Sequence, residues 1–322
     1  MERLSAYTSY VEKELQRIEV PAHPQRLYEP FRYFLTIGGK RIRPILTLLS
    51  AEMFGASKEL ALPQALSVEV FHNFTLIHDD IMDQAPLRRN KTTVHEKWNT
   101  NIGILSGDVM LIEAFKLLSR IDAEKLPEAL SLFNRTAIEV CEGQQLDMDF
   151  EEREDVSIHE YIEMIRLKTS VLLGSALRLG AIVAGASEKD KNAIYQFGEH
   201  VGIAFQIQDD ILDLYADPDK FGKQIGGDIL ANKKTMLYLT ALNKASKSQL
   251  EAFRNLRKLE DKELKIARTR ELFDFLHIKE ECQNEMEHHY RLAMQALDSI
   301  QLDAEKKAPL QALAKMLMHR DK

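Results

Sequence analysis

The chain of 322 residues carries 43 Lys and Arg against 50 Asp and Glu, a net charge of −7. That balance excludes the basic footprint of a nucleic-acid binder, and two cysteines, Cys141 and Cys282, without metal-ligand spacing exclude a disulfide scaffold and a thiolate zinc site. No run reads as the roughly 20 apolar residues of a membrane span, and the N-terminus has no apolar signal core, so a cytoplasmic protein without stable membrane insertion is expected.

The apolar spacing is helical nearly everywhere, and no stretch alternates convincingly as a strand. It predicts helices near 2–18, 26–37, 42–54, 59–83, 101–119, 126–149, 158–184, 188–216, 233–244, 247–256, 264–276, 278–299 and 305–319. Ser157 with Glu160 and Ser187 with Asp190 fit the capping-box pattern at two starts. Gly38-Gly39, Pro63, Gly185 and Gly226-Gly227 read as breaks. With 45% hydrophobic residues, only 9 Pro and 14 Gly, and no linker or repeat, residues 1–322 are expected to form one domain. The implied fold class is all-α: a single large bundle of about a dozen helices.

Three helices, 59–83, 158–184 and 188–216, are apolar over most of their length and should be central. Two of them end in acid. Asp79-Asp80-Ile81-Met82-Asp83 follows VEVFHNFTLIH, and Asp209-Asp210-Ile211-Leu212-Asp213 follows GIAFQIQ. Residues i and i+4 share a helix face, so Asp79 pairs with Asp83 and Asp209 with Asp213. Carboxylates at a helix C-terminal end oppose the macrodipole and repel one another, which bound cations relieve. Hard oxygen donors select Mg²⁺, Mn²⁺ or Ca²⁺, and Mg²⁺ prefers one or two carboxylates with water and phosphate oxygens. One such cluster alone reads more readily as a solvated helix end; two, each after an apolar helix, point to an acid-rimmed cavity with an apolar floor. A ligand with a diphosphate head and a hydrocarbon tail suits that cavity.

Cations accompany both clusters. Gly38-Gly39-Lys40-Arg41-Ile42-Arg43-Pro44 puts three beside a Gly pair before a helix start, where backbone can approach an anion; an exposed basic turn reads the same way. Arg88-Arg89 follows the first cluster, and an Arg fork suits phosphate oxygens as well as a structural pair with Asp. Lys168, beside Thr169 in an apolar helix, either snorkels to the surface or faces the cavity. Lys223 and Lys233 follow the second cluster.

These residues, in this order, resemble the trans-isoprenyl diphosphate synthases, or polyprenyl synthetases. The matching segments are GGKRIRP at 38–44, LIHDDIMD at 76–83, LRR at 87–89, GDVM at 107–110, GQQLDMD at 143–149, KTS at 168–170, FQIQDDILD at 205–213 and GK at 222–223. The resemblance runs from about residue 20 to the C-terminus. It implies the isoprenoid-synthase bundle around a deep central cavity and condensation of isopentenyl diphosphate with an allylic diphosphate. It implies three Mg²⁺, with Asp79, Asp83 and Asp209 as ligands and Asp80, Asp210, Asp213 and Asp147 as further members of the acidic sets. Arg88, Lys168, Lys223 and Lys233 are implied as allylic-diphosphate contacts, Lys40, Arg43, His72 and Arg89 as the isopentenyl diphosphate site, and Thr169 and Gln206 as neighbours of the reacting carbons. Arg41 is left between a substrate contact and a structural pair. Arg320, near the terminus, is implied only as a contact of a closed state. Phe74 and Thr75, five and four residues before Asp79, resemble the floor of enzymes that stop at C20, with C15 next. The family has Gly where this chain has Asn90, and Asn also tolerates positive φ. A homodimer is implied. The competing expectations are a non-catalytic subunit of a heteromeric synthase, a class I terpene cyclase, and a di-metal carboxylate protein built on Glu69-x-x-His72 and Glu285-x-x-His288.

Overall fold

The computed structural model describes residues 2–216 and 225–318, with side chains from residue 4. In chain order the helices are α1 (Glu2–Leu15), α2 (Gln25–Thr36), α3 (Ile42–Met53) and α4 (Lys58–Met82). A small hairpin, β1 (Leu87–Arg88) and β2 (Lys91–Thr92), and a single turn, α5 (Val94–Lys97), lead to α6 (Thr100–Leu118) and α7 (Leu126–Glu152). Then come α8 (Ile158–Ile165), a π-turn (Arg166–Ser170), α9 (Val171–Ala184) and α10 (Glu188–Tyr215). The remainder is α11 (Gly227–Leu230), α12 (Met236–Lys244), α13 (Lys247–Leu256), α14 (Lys262–Phe275), α15 (Ile278–Asp298) and α16 (Ala304–Met318). The all-α class is as the spacing predicted.

Side-chain caps place several of the starts. Ser57 accepts from Leu60 N–H at 3.3 Å and Asn99 from Ile102 N–H at 2.9 Å. Both halves of the Ser157–Glu160 capping box form, as they do at Ser246 and Gln249. Each such cap is worth about 1 kcal/mol.

The chain divides into two compact units, Met1–Phe133 with Ser175–Asn192, and Asn134–Gly174 with Ala193–Lys322. In the first, α4 packs between α3 and α6. Small residues let α4 and α6 close up: a Cβ on Gly103 would meet Ile81 Cδ1 at 2.8 Å, and one on Gly107 would run into the His78 ring. Ser67 donates to Ala114 O at 2.7 Å and Gln64 to Leu118 O at 3.3 Å, tying the two helices through buried polar groups. In the second unit, Ile203, Ile207 and Ile211 of α10 join Tyr161, Met164 and Ile165 of α8, and Phe253 and Phe273 of α13 and α14, in one core. Full burial of each of these side chains is worth roughly 2–3 kcal/mol.

Four expectations need correction. The spacing missed the hairpin, whose two-residue strands are too short to alternate. It read 158–184 as one α-helix, whereas the π-turn interrupts it. Pro63 lies inside α4 rather than at a break; there it is only the sixth helical residue, so a single N–H donor, to Glu59 O, is lost. Finally, the run Ile158–Ala184 is long and apolar enough by composition to cross a membrane, with 78% of its most apolar window buried inside the protein.

Candidate active site

In the first unit, α4 delivers its acids on the last turn. Asp83 caps the helix, its N–H donating to Asp79 O at 2.9 Å, which sets Asp79 and Asp83 one turn apart. Asp80, only 1% exposed, turns inward instead. Arg88 of β1 donates to Asp80 Oδ1 from Nε at 2.8 Å and from Nη2 at 2.6 Å, and Nη2 lies 3.5 Å from Asp79 Oδ2. Burial lifts the Asp80 carboxyl above its usual range, against the Arg88 bonds that hold it down. The hairpin turn that aims Arg88 puts both central residues in the left-handed region, Arg89 at φ 51 and Asn90 at φ 61. That is the turn whose twist suits a two-residue hairpin, and Asn90 supplies it without glycine.

The same unit gathers the basic turn against α4. Gly38 (φ 89) and Gly39 (φ 148) need conformations that side chains avoid, and a Cβ on Gly39 would run into the Arg89 guanidinium. Arg89 Nη1 donates to Gly38 O. Arg43, in the first turn of α3, donates from Nη1 to His72 Nε2 at 3.0 Å, while its buried Nε has no hydrogen-bond partner. Because an Arg only donates, His72 Nε2 accepts, and its proton sits on Nδ1. Burial, then the surrounding guanidiniums, hold the His72 imidazole well below its usual value. Burial also lowers Arg43, to about 10. An anion would relieve both the orphaned donor and the crowded charge. Lys40 is exposed beside this group. Arg41 takes no part: it pairs inward with Glu12 and Glu69.

In the second unit, α10 carries the second acidic motif. Asp210 is buried, accepting from the Tyr161 hydroxyl and from Met236 N–H at 2.9 Å, so it anchors the start of α12. Burial pushes its carboxyl up to about 7. Asp213 accepts from Asp228 N–H at 3.0 Å and is pushed up to about 6, by burial and then by the Asp228 carboxylate. Asp209 is half-buried on the same helix face. Lys233 is exposed on the following turn, where its charge holds Asp210 and Asp213 down. Lys223 and Arg320 lie outside the described residues.

The π-turn carries Lys168 and Thr169. Lys168 Nζ donates to Asp147 Oδ2 of α7 at 2.6 Å, and Thr169 Oγ1 lies 3.5 Å from Gln206 Oε1 of α10. Two glycines admit the widened turn: a Cβ on Gly143 of α7 would sit 2.7 Å from Lys168 Cα, and one on Gly202 of α10 would sit 2.7 Å from Ser170 Cα. Lys168 therefore does not snorkel; it bonds an acid of GQQLDMD.

Phe74 is half-buried one turn before His78, ring to ring at 4.8 Å, and touches Phe71 at 5.6 Å. Thr75 turns its hydroxyl back to His72 O at 2.8 Å, leaving its small side chain without reach.

Sequence reasoning missed three members of this set. Asp228 had a signal, its place in a Gly-Gly-Asp turn after the second motif. Tyr161 had none, and Glu69 was read only as a candidate metal ligand, because a buried partner is visible only in three dimensions. The paired Glu-x-x-His reading fails on geometry: Glu69 is bonded to Arg41 and His72 to Arg43. Among the described residues no three His, Cys, Asp or Glu side chains cluster closely enough to hold a metal by themselves. The donors are instead carboxylate pairs near helix ends, with an unpartnered buried oxygen, Asp80 Oδ2, close by. That set fits Mg²⁺, which completes its shell with water and phosphate oxygens.

The profile of the polyprenyl synthetase family matches residues 24–275. The chain belongs to this family. A geranylgeranyl diphosphate synthase from Methanosarcina mazei is 40% identical over 242 residues, 74% of this chain and 75% of that one. A crystal structure of a geranylgeranyl pyrophosphate synthase superposes with a TM-score of 0.92 at 43% identity, covering 100% of this chain and 99% of that one. A polyprenyl synthase from Caulobacter crescentus CB15, solved complexed with calcium and isoprenyl diphosphate, gives 0.83 at 27% identity over 100% and 96%. This polyprenyl synthetase is accordingly a prenyltransferase with the isoprenoid-synthase fold, of a family that depends on Mg²⁺.

Proposed function

We propose that the enzyme condenses isopentenyl diphosphate head-to-tail with allylic diphosphates and releases a C20 prenyl diphosphate. The observation that carries this reading is the half-buried Arg43–His72 pair beside Lys40 and Arg89: an orphaned guanidinium donor among cations, with a neutral imidazole that adds no further charge. It suits the diphosphate of the isoprene donor. Asp79, Asp83 and Asp209 would hold three Mg²⁺ with the allylic diphosphate, and these ions would supply Lewis-acid charge neutralisation to the leaving group. Asp80 and Asp210 instead brace the motifs from behind, through Arg88 and through α12. Asp213 and Asp147 stand one step back, the latter on Lys168. Arg88, Lys168, Lys223 and Lys233 neutralise the diphosphate as its charge grows. Thr169 and Gln206 border the reacting carbons, and the apolar helix faces keep water from the allylic cation. Holding the two substrates together supplies the remaining advantage. No His or Glu base is assigned, since the released diphosphate can take the proton.

The whole chain serves as one polyprenyl synthetase domain. It works in the cytoplasm as a homodimer without stable membrane insertion. Support for the dimer comes from α6, where Ile104, Leu105 and Ile112 are 41%, 57% and 65% exposed on one helix. Apolar faces of this kind mark protein contacts, and sedimentation equilibrium is expected to return twice the chain mass of 37.0 kDa.

The reading is tested by incubating the protein with Mg²⁺, isopentenyl diphosphate and, separately, C5, C10 and C15 allylic diphosphates, with products sized by mass spectrometry. Growth that stops at C20 is expected, and no elongation from any of the three would sink it. Phe74 is the proposed floor, over small Thr75. Phe74→Ala removes its ring and should lengthen the product by at least one C5 unit; an unchanged C20 product would take the floor away from Phe74.

A further inference from the structure

Arg41 sits in the middle of the basic turn yet is turned away from it. Its backbone is left-handed, φ 50, at the cap of α3, a conformation that costs a side-chain-bearing residue on the order of 1 kcal/mol. Three acceptors hold it there. Nε donates to Glu12 Oε1 at 2.8 Å, Nη1 to Glu69 Oε1 at 2.6 Å and Nη2 to Leu35 O at 3.0 Å. Its side chain is fully buried, Glu69 nearly so, and Glu12 is 28% exposed. Lys40 precedes this kink and Arg43 follows it by half a turn, so the Arg41 geometry sets where both cations point.

Glu12 comes from α1, which lies ahead of the segment matched to the family, residues 24–275. The helix does not depend on Glu12 for its seat. Tyr7, Val11 and Leu15 are buried along its inner face, and the Tyr7 hydroxyl donates to Glu52 of α3. Glu12 is thus a carboxylate delivered by an independently seated helix to one guanidinium.

Charge gives it a purpose. Arg41, Arg43, Arg88 and Arg89 crowd one region of this unit, and burial makes their mutual repulsion costly. Glu69 alone would leave the Arg41 Nε buried and unbonded. Held only through its two Nη groups, Arg41 would no longer be fixed at the angle that keeps it turned from the diphosphate pocket. We propose that Glu12 is a positioning residue for isopentenyl diphosphate: by completing the Glu12–Arg41–Glu69 clamp it fixes the kink that aims Lys40 and Arg43 at that substrate. This rests on the pocket assignment made above.

The test uses the full-length enzyme. Glu12→Gln keeps the shape and removes the charge; Tyr7→Phe loosens α1 without touching the clamp. For each, isopentenyl diphosphate binding is measured by calorimetry, and KM is measured for both substrates. Glu12→Gln is expected to weaken isopentenyl diphosphate binding and raise its KM about tenfold, the size of one charge-assisted hydrogen bond. The allylic KM and kcat should stay within about twofold, and Tyr7→Phe should leave both KM values alone. Glu12→Gln that binds as wild type, or that raises both KM values together, would overturn the inference while leaving the condensation reaction in place. So would Tyr7→Phe reproducing the effect, since seating of α1 would then be the cause. Wild-type protein that binds no isopentenyl diphosphate would instead remove the pocket assignment, and the positioning role with it.

Discussion

Asp79→Asn and Asp209→Asn should each lower kcat by about a thousandfold or more while leaving the fold intact. The change keeps the size of the side chain and removes the charge that holds a hard cation. Each residue shares a helix face with a second carboxylate, Asp79 with Asp83 and Asp209 with Asp213, so neutralising one should leave the melting temperature unchanged or slightly raised. Excess Mg²⁺ should recover part of the activity. The contrast is with Asp80→Asn and Asp210→Asn, whose residues are buried against Arg88 and against Tyr161 with Met236 N–H. Those should act first on stability, because Asp80→Asn leaves Arg88 without its counter-charge and Asp210→Asn leaves two buried neutral donors sharing a weaker acceptor. Turnover of Asp79→Asn and Asp209→Asn within tenfold of wild type, across a Mg²⁺ titration, would remove both residues from the metal assignment.

Gly143→Ala should nearly abolish activity from a position that contacts no substrate. A Cβ there would stand 2.7 Å from Leu167 C and from Lys168 Cα, and closer still to Lys168 N. These are backbone atoms, which cannot rotate aside as a side-chain tip would. Either α7 withdraws or the π-turn collapses, and in both cases Lys168 loses Asp147 and Thr169 leaves Gln206. Overpacking of this kind costs about 1–3 kcal/mol, and misplacement by about 1 Å costs on the order of a hundredfold in rate. Stability by thermal melt and kcat on C15 allylic diphosphate check both halves. An alanine variant with normal kcat would mean that the position of the π-turn does not matter to the chemistry.

How much of this was legible in the sequence depends on range. Helix starts were readable because Ser157 and Ser187 act within three residues of themselves. The two Asp-rich ends were readable because i and i+4 spacing fixes a face. The Arg88–Arg89 hairpin was not, since two-residue strands leave no periodicity; only Asn90 hinted at a turn. The π-turn was hidden because its apolar residues satisfy a helical period on either side. Arg41 was ambiguous for a different reason: its partners, Glu12 and Glu69, lie 29 and 28 residues away, and no local pattern reports a long-range pair. The same holds for Asp210 and Tyr161, 49 residues apart.

The π-turn at Arg166–Ser170 has a consequence for reading and editing this chain. One extra residue in a turn advances the helical phase by about 100°. A wheel drawn through 158–184 at constant pitch therefore assigns half of the side chains to the wrong face. Deleting a single residue from 166–170 would heal the helix and leave Tyr161 and Val171 facing much as before, because the five residues of a π-turn wind about as far as four of an α-helix. What it would remove is the bulged backbone that carries Lys168 to Asp147 and Thr169 to Gln206. Local regularity and the placing of these two side chains are opposed at this one point, and the chain gives up the first to keep the second.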